Sequence, residues 1–216
     1  ELGIQPDVVT RRHVLPSSDA CEDAPSALPC RRPLYIRDEE TTMGESNPPV
    51  STGRGDDGTT TLLGSGRMGK NAPRIIVLGD LDEASSFLGL ARAEADGDIG
   101  ELLLRLQRLL YRVMGDVAMP KEPNAVGEED LRFVDEALEE WRGKTEISRE
   151  FVVPGESRLG ALLDVARTVV RRSERSLVAA GYETEHPYAL RAVNRLSDLL
   201  FVVARNADGR RTLSKD

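Results

Sequence analysis

The sequence has 216 residues and a formal net charge of −8, from 29 basic and 37 acidic side chains. This length suits one domain with or without a tail, and no apolar run approaches the roughly 20 residues of a membrane-spanning helix. The acidic balance argues against nucleic-acid binding through net charge, while two cysteines and two histidines exclude a disulfide scaffold and disfavour a Cys/His zinc site. We therefore expect a cytoplasmic globular protein without nucleic-acid or membrane partners.

Residues 1–49 are predicted to be a disordered N-terminal tail. Seven prolines, mixed with serine, aspartate and glutamate, leave too little apolar surface to offset the entropy of ordering this segment. Both cysteines, Cys21 and Cys30, lie in the tail, and we interpret them as incidental rather than as a disulfide. The sequence begins at Glu1, and Met43 is a candidate alternative start.

Residues 50–80 are rich in glycine and threonine and contain a short β-like run at residues 75–78. After Asp80, which we expect to cap the first helix, apolar residues recur at spacings of three and four. This pattern predicts core-facing amphipathic helices. The predicted helices cover residues 81–92, 99–117, 128–141, 159–177 and 190–203. Together they predict an all-α fold, a five-helix bundle over residues 50–210.

The fourth predicted helix carries a polar face with several arginines. Spacings of four, seven and eight residues place four side chains on one face, with Arg172 beside them: Arg167, Arg171, Glu174 and Arg175. A solvent-exposed face with i,i+4 ion pairs is the ordinary interpretation. The cluster contains four arginines and no lysine, however, and guanidinium groups are favoured where phosphates are held in fixed geometry. The sequence pattern leaves both interpretations open.

The fifth predicted helix carries a second polar line. It consists of Asn194, Asp198 and Arg205, with Arg195 next to it. An ordinary solvent-exposed face does not account for an asparagine at this position, because the surrounding residues 190–203 are mostly apolar. Asn194 therefore favours a functional surface over a solvated one.

The glycine-rich segment at residues 64–71 almost matches the P-loop of nucleotide hydrolases. That pattern ends in a serine or threonine that binds magnesium, where this chain has Asn71, and it opens directly into a helix. Pro73 and the β-branched run after it indicate a strand instead, so we reject a P-loop. Upstream, residues 52–61 supply amides and hydroxyls that could wrap a triphosphate, or they form a flexible linker.

Several of these segments occur together in an order typical of one enzyme family. They are TGRGDDGTT, a lysine at Lys70, GDLDEASSFLG, FVVPG, ARTVVRRSER and NRLSDLLFVVAR. In this combination the chain resembles the PduO-type ATP:cob(I)alamin adenosyltransferase family over about residues 50–206. The resemblance implies a five-helix bundle that assembles as a homotrimer, with active sites between subunits. It also implies transfer of the 5′-deoxyadenosyl group of ATP to cobalt, giving adenosylcobalamin and triphosphate.

The resemblance also assigns roles to particular residues. Phe151 matches the aromatic residue that packs under the corrin and excludes the lower axial ligand, and Asp198 is a second expected corrinoid contact. Asp82 and Arg167 match an intersubunit salt bridge, and with Arg171 and Phe151 they complete the expected catalytic set. The implied ATP-binding residues are Thr52, Gly53, Arg54, Gly55, Thr60, Thr61, Lys70, Arg171, Arg172, Glu174, Arg175 and Asn194.

Two departures from the family pattern matter. The usual Thr-Arg/Lys-Thr-Gly reads Thr-Gly-Arg-Gly at residues 52–55, so the phosphate contacts are expected to differ. The usual Asp-Glu-x-Asn reads Asp-Glu-Ala-Ser at residues 82–85, which removes one amide side chain from the first helix.

The implied chemistry requires no protein nucleophile or general base, because the cobalt of the reduced corrinoid is the nucleophile. The expected substrates are ATP with magnesium and cob(I)alamin or cob(II)alamin, with no metal ligand assigned to the protein. A corrinoid reductase and an adenosylcobalamin-dependent mutase are candidate partners. An apolar wall at Phe151 would ease reduction of Co(II) by excluding axial ligands, whereas the alternative role for Phe151 is an ordinary core aromatic.

Two other classes of protein compete with the adenosyltransferase. A non-catalytic helical bundle could bind an anionic partner through the arginine face. A ferritin-like metal bundle needs Glu-x-x-His pairs, and no histidine lies inside the predicted helices except His186 at one end.

Overall fold

The structure, a computed structural model, describes residues 51–63, 66–209 and 212–215. The predicted tail at residues 1–49 lies outside the described residues. An antiparallel hairpin precedes the helices, with Thr60 opposite Met68. The strands are β1 (Thr59–Leu62) and β2 (Gly66–Gly69), and the helices are α1 (Pro73–Ala93), α2 (Gly97–Ala118), α3 (Glu128–Lys144), α4 (Arg158–Ala179), α5 (Tyr182–Glu185) and α6 (Pro187–Asp208).

The prediction of a five-helix bundle is confirmed by the five long helices α1, α2, α3, α4 and α6. α1 packs against α2 and α4, while α6 packs against α4 and α3. The core between them is rich in fully buried leucines, whose burial stabilises the bundle: Leu81, Leu88, Leu103, Leu106, Leu109, Leu110, Leu163, Leu177, Leu196, Leu199 and Leu200. α4 therefore lies between α1 and α6, and its polar residues border both neighbours.

The first helix begins earlier than the sequence pattern predicted. Pro73 occupies the first turn of α1, where its missing N–H costs no helical hydrogen bond, so residues 75–78 are helical rather than a strand. Val77 and Leu81 are both fully buried at helical spacing, and their burial overrides the β preference of branched residues. Asp80 lies inside α1, and the prediction that it caps the helix is wrong.

The hairpin and the single turn α5 are additions to the predicted bundle. Backbone hydrogen bonds from Asp56 to Gly53 and from Gly58 to Gly55, each of 3.2 Å, form the turns that lead into β1. Gly58 has a φ of 79°, which favours glycine at this position. The segment after residue 52 therefore forms ordered turns and a paired strand, and the alternative interpretation of it as a flexible linker is wrong. Among the described residues, no helix is both long and apolar enough to span a lipid bilayer.

A buried carboxylate fixes the connection between α2 and α3. Asp116 is 4% exposed, and its two oxygens accept backbone N–H groups from Ala125 at 2.5 Å and Val126 at 3.1 Å. Burial raises the pKa of Asp116 above its ordinary value of 3.8, although the two amide donors and nearby His186 oppose the rise.

We expect Asp116 to make the protein less stable as the pH rises through its raised pKa. In that range the folded protein binds the Asp116 proton more tightly than the unfolded chain does, so raising the pH favours unfolding. Asp116→Asn cannot titrate. The free energy of unfolding of the wild type minus that of the variant should therefore decline as the pH rises above 3.8. Urea unfolding across a pH series measures this difference, and a constant value would contradict the raised pKa.

Candidate active site

A groove of about 400 Å³ lies where α3, α4 and α6 meet. Arg167 and Arg171 border it from α4 and Asp198 from α6, so three of the predicted site residues share one surface. Arg171 is exposed, and its guanidinium forms no hydrogen bond or ion pair with any residue that the structure describes. Such a cation can receive an anionic ligand. The rest of the lining is partly apolar: Leu138, Arg142, Ile147, Ser197, Phe201 and Val202.

Arg167 is held in place by a buried carboxylate. Its Nε donates to Asp164 Oδ1 at 3.0 Å, and the other oxygen of Asp164 pairs with Arg205. The side chains of Asp164 and Arg205 are only 5% and 2% exposed. The predicted polar line on the fifth helix is therefore wrong for Arg205, which turns into the protein while Asp198 stays exposed.

The carboxylates that organise this network were missed by sequence reasoning. Asp208 lies 2.9 Å from Arg205, and its Oδ1 accepts a hydrogen bond from the Ser157 hydroxyl at 3.0 Å. Asp164 interrupts the apolar side of α4 three residues before Arg167, and this interruption is the signal that could have identified it. Asp208, at the very end of α6, gives no comparable signal.

Glu174 and Asn194 come together as the prediction of a shared site requires. Asn194 Nδ2 donates to Glu174 Oε1 at 2.7 Å, and Asn194 Oδ1 accepts from Arg195 at 2.9 Å. Arg175 is exposed and donates to the carbonyl of Arg171 one turn earlier. Glu174 and Asn194 thus form a hydrogen-bonded polar pair between α4 and α6, and the exposed Arg171 and Arg175 lie beside it on α4.

Arg172 points to the other border of α4. Its Nε lies 3.2 Å from Asp80 Oδ1, and its Nη2 pairs with Glu83, so two carboxylates of α1 neutralise it. The hydrogen bond that Arg172 donates to Glu83, together with the negative charges of Glu83 and Asp80, raises the pKa of Arg172. The predicted contact of Arg172 with ATP stays a prediction. Asp82, also on α1, is exposed and forms no ion pair with Arg167 in the described chain.

The predicted ATP segment forms its own compact unit around the hairpin. Thr60 and Thr61 lie in β1, and the Lys70 amide donates to the Gly58 carbonyl at 2.9 Å. Lys70 Nζ packs so closely over Gly55 that a Cβ added there would lie 3.0 Å from it. The structure therefore brings Gly55 and Lys70 together, as a shared phosphate contact would require.

Arg67 strengthens the same unit. It donates to the Arg54 carbonyl at 2.7 Å and lies 3.0 Å from Asp57. Hydrogen bonds from Thr59, together with Arg67, lower the pKa of Asp57. Among the described residues, no hydrogen bond or ion pair joins this unit, which includes Thr52 and Gly53, to the arginine face of α4.

Phe151 is 85% exposed, so its interpretation as a core aromatic is wrong. It lies in the connection between α3 and α4, where a short antiparallel bridge pairs Val152 with Leu213. The Phe151 carbonyl accepts from the Ser214 amide, and the Val153 amide donates to the Thr212 carbonyl, both at 2.9 Å. A hydrogen-bonded backbone thus presents a large apolar side chain to the outside.

The structure also excludes a P-loop, but not because a strand follows the glycine-rich segment, as the sequence predicted. A helix does follow the glycine-rich segment, since α1 begins at Pro73. Residues Gly66–Gly69 form β2, however, and pair with β1 rather than forming a loop around phosphates. Asn71 also stands where the pattern requires a hydroxyl.

Comparison with known proteins decides the family. The family model described as cobalamin adenosyltransferase matches residues 50–207. The chain belongs to the cobalamin adenosyltransferase family. The family resemblance seen in the sequence is confirmed, and the match covers the hairpin as well as the long helices.

Individual members of the family agree with this assignment. A cobalamin adenosyltransferase from Cupriavidus metallidurans is 37% identical over 171 residues, which cover 76% of this chain and 90% of the relative. A corrinoid adenosyltransferase from Bacillus subtilis is 37% identical over 167 residues, covering 74% and 86%. The structure of a variant PduO-type ATP:corrinoid adenosyltransferase from Lactobacillus reuteri, complexed with cobalamin and ATP, has a TM-score of 0.73 and 27% identity. That likeness covers 78% of this chain and 100% of the neighbour.

Proposed function

We propose that this adenosyltransferase binds its two substrates at the groove between α3, α4 and α6 and at the hairpin unit. As a member of its family, the protein transfers the adenosyl group of ATP to the cobalt of a corrinoid. The observation that best supports this location is the exposed guanidinium of Arg171, which borders the groove with Arg167 and Asp198. A related structure contains both cobalamin and ATP.

The reaction replaces a carbon–oxygen bond with a cobalt–carbon bond. The electron pair of cob(I)alamin attacks the 5′ carbon of ATP, and the bond from that carbon to oxygen breaks. Triphosphate leaves with the bonding electrons, so negative charge grows on its oxygen. The protein positions the ribose in line and stabilises this charge. We assign that electrostatic role to Arg171, Arg175 and Lys70, with Arg172 as a further contact.

The polar pair on α4 and α6 suits the nucleotide. Because Glu174 and Asn194 are joined at 2.7 Å, they can present fixed donors and acceptors to ATP without further ordering. Thr52, Arg54 and the β1 threonines Thr60 and Thr61 would add amides, hydroxyls and a charge from the hairpin unit. The nucleotide would thus bind between two preformed polar surfaces.

The exposed aromatic ring of Phe151 is better suited to contact the corrinoid than to contact ATP. An exposed aromatic ring on a hydrogen-bonded backbone can pack under the corrin and occupy the space of the lower axial ligand. Loss of axial ligands from Co(II) lowers the orbital that accepts the electron. Asp198 would contact the corrinoid from the groove.

We also propose that the enzyme is a homotrimer whose sites use two subunits. Within the described chain, the hairpin unit makes no polar contact with the arginine face, and Arg167 pairs with Asp164 instead of Asp82. A neighbouring subunit can supply the missing half of each site and the partner of Asp82. Sedimentation of the active protein should give three chains, whereas an active monomer would contradict this proposal.

Magnesium is expected to arrive with ATP. The described residues contain no group of three or more His, Cys, Asp and Glu side chains that could hold a metal ion. Phosphate oxygens and water would therefore supply most ligands of the cation. We further propose that the enzyme acts in the cytoplasm, where a corrinoid reductase would supply its substrate and an adenosylcobalamin-dependent mutase would use its product.

Gly55→Ala should weaken ATP binding several-fold without unfolding the protein. The added Cβ would lie 3.0 Å from Lys70 Nζ and 3.3 Å from the Thr59 carbonyl, so the lysine must move from its phosphate-binding position. Gly143→Ala is the control, because a Cβ on Gly143 meets no atom within 4 Å. Calorimetric titration with ATP measures both variants, and equal affinities would argue against a role for Lys70 at this place.

The alternative function is a non-catalytic bundle that binds an anionic partner through the arginine face. An anaerobic absorption spectrum separates the two functions. An adenosyltransferase changes the spectrum of reduced cobalamin only when ATP is added. Binding of ATP without that spectral change would favour the non-catalytic bundle.

A further inference from the structure

The end of α6 contains a buried ion network that the reaction does not use directly. Arg205, with a side chain only 2% exposed, pairs with Asp164 on one side and lies 2.9 Å from Asp208 on the other. Asp208 Oδ2 and Arg205 Nε are both buried without a hydrogen-bond partner among the described residues, so the contact with Asp208 is an ion pair without hydrogen-bond alignment. Apolar side chains can often replace a buried ion pair without loss of stability. An imperfect network of this kind therefore favours a role other than stability.

One side of the network reaches the groove. Asp164 divides its two oxygens between Arg205 and Arg167, and Arg167 borders the groove beside Arg171. The position of Arg167 therefore depends on a carboxylate that Arg205 holds in place.

The other side reaches the segment that carries Phe151. Asp208 Oδ1 accepts from both the amide and the hydroxyl of Ser157, at 3.2 and 3.0 Å, and the same hydroxyl caps α4 at Gly160. A Cβ on Gly160 would lie 1.9 Å from Asp208 Oδ1, so this contact requires a glycine. Residues 212–214 bind residues 151–153 through two backbone hydrogen bonds. The segment from residue 151 to residue 157 is thus held at one end by Thr212 and Ser214 and at the other end by Asp208.

We propose that Arg205 and Asp208 are positioning residues, which fix Arg167 and the Phe151 segment relative to each other. The inference rests on the proposed roles of Arg167 and Phe151. Misplacement of reacting groups by about 1 Å can cost roughly 100-fold in rate, so a rigid link between the two matters to catalysis. Neither Arg205 nor Asp208 needs to touch a substrate for this effect.

Asp208→Asn tests the link, because it keeps the size of the side chain and removes the charge that faces Arg205. We expect kcat to fall about 10- to 100-fold while the Kd for ATP stays within about three-fold. With ATP and cob(II)alamin bound, electron paramagnetic resonance should show a smaller fraction of cobalt without axial ligands. Ser157→Ala removes the hydroxyl that caps α4 and donates to Asp208, and it leaves the charge of Asp208 in place. This variant should fold, and we expect it to shift both readouts in the same direction.

Coupling to Phe151 distinguishes positioning from a general structural role. In a Phe151→Ala background, Asp208→Asn should no longer change the axial-ligand signal, because the wall that it positions is absent. Asp130→Asn is the control: it breaks the Arg112 ion pair between α2 and α3 and should leave both readouts unchanged. An additive effect of the two substitutions, or an equal effect of Asp130→Asn, would overturn the inference.

Hydrogen exchange separates failure of this inference from failure of the proposed function. The Val153 amide, which donates to Thr212, should exchange faster in Asp208→Asn than in the wild type. An unchanged exchange rate would overturn the inference whether or not the enzyme is active. A wild-type protein that forms no adenosylcobalamin would instead overturn the proposed function.

Discussion

Arg171→Ala should lower kcat/KM for ATP by about 100-fold or more, the usual loss when one donor to a developing anion is removed. The Arg171 guanidinium is exposed, borders the groove and has no partner among the described residues, so its charge is available to the leaving triphosphate. Arg167, in contrast, is already paired with Asp164. We expect the free energy of unfolding to change by less than about 0.5 kcal/mol, because the substitution is on the surface.

Arg132→Ala is the matched control for this experiment. Arg132 is also an exposed arginine of a long helix, on α3, but it does not line the groove. Steady-state adenosylation with varied ATP, together with urea unfolding, compares the two variants. If Arg171→Ala and Arg132→Ala keep equal activity, the arginine face of α4 is only a solvated surface.

Phe151→Ala should slow adenosylation that starts from cob(II)alamin by roughly 10- to 100-fold and leave ATP binding near normal. The ring is 85% exposed, so its removal opens no cavity. A core phenylalanine would cost about 3–5 kcal/mol of stability on the same change, and here we expect almost none. The loss should be smaller with pre-reduced cob(I)alamin, because the proposed wall acts on the reduction of Co(II).

Val153→Ala controls for shortening an apolar side chain in the same segment. Val153 is 44% exposed and keeps its backbone hydrogen bond to Thr212 after the change. Anaerobic assays from each cobalt oxidation state, with ATP titrations alongside, measure the effects. A parallel loss of ATP affinity in Phe151→Ala would show that the corrinoid role is wrong.

The helices were predictable because burial imposes a periodic pattern on the sequence. α2, for example, buries Leu102, Leu106, Leu109 and Val113 at spacings of three and four. The start of α1 was not predictable from propensity, since Ile75 and Ile76 favour strands. The helix there is stabilised by the burial of Val77 and Leu81 against neighbouring helices, which the local sequence does not show. The hairpin was missed because its glycines and threonines give no alternation of apolar and polar residues.

The candidate site was predictable where it lies along single helices. Helical spacing placed Arg167 and Arg171 on one face of α4. The contact between Glu174 and Asn194 joins α4 to α6, and only the family resemblance implied that these two residues share a site. The burial of Arg205 could not be read in this way. It depends on Asp164, which lies on a different helix 41 residues away in the chain, and such pairing is set by tertiary packing.

The most direct measurement combines ATP with chemically pre-reduced cob(I)alamin under anaerobic conditions and follows the two products together. Absorption spectra quantify adenosylcobalamin, and phosphorus NMR identifies the released phosphate species. The account predicts one intact triphosphate for each adenosylcobalamin formed, with formation strongly reduced in Arg171→Ala. A wild-type protein that leaves the reduced corrinoid unchanged, or that releases phosphate or pyrophosphate without forming a cobalt–carbon bond, would contradict it.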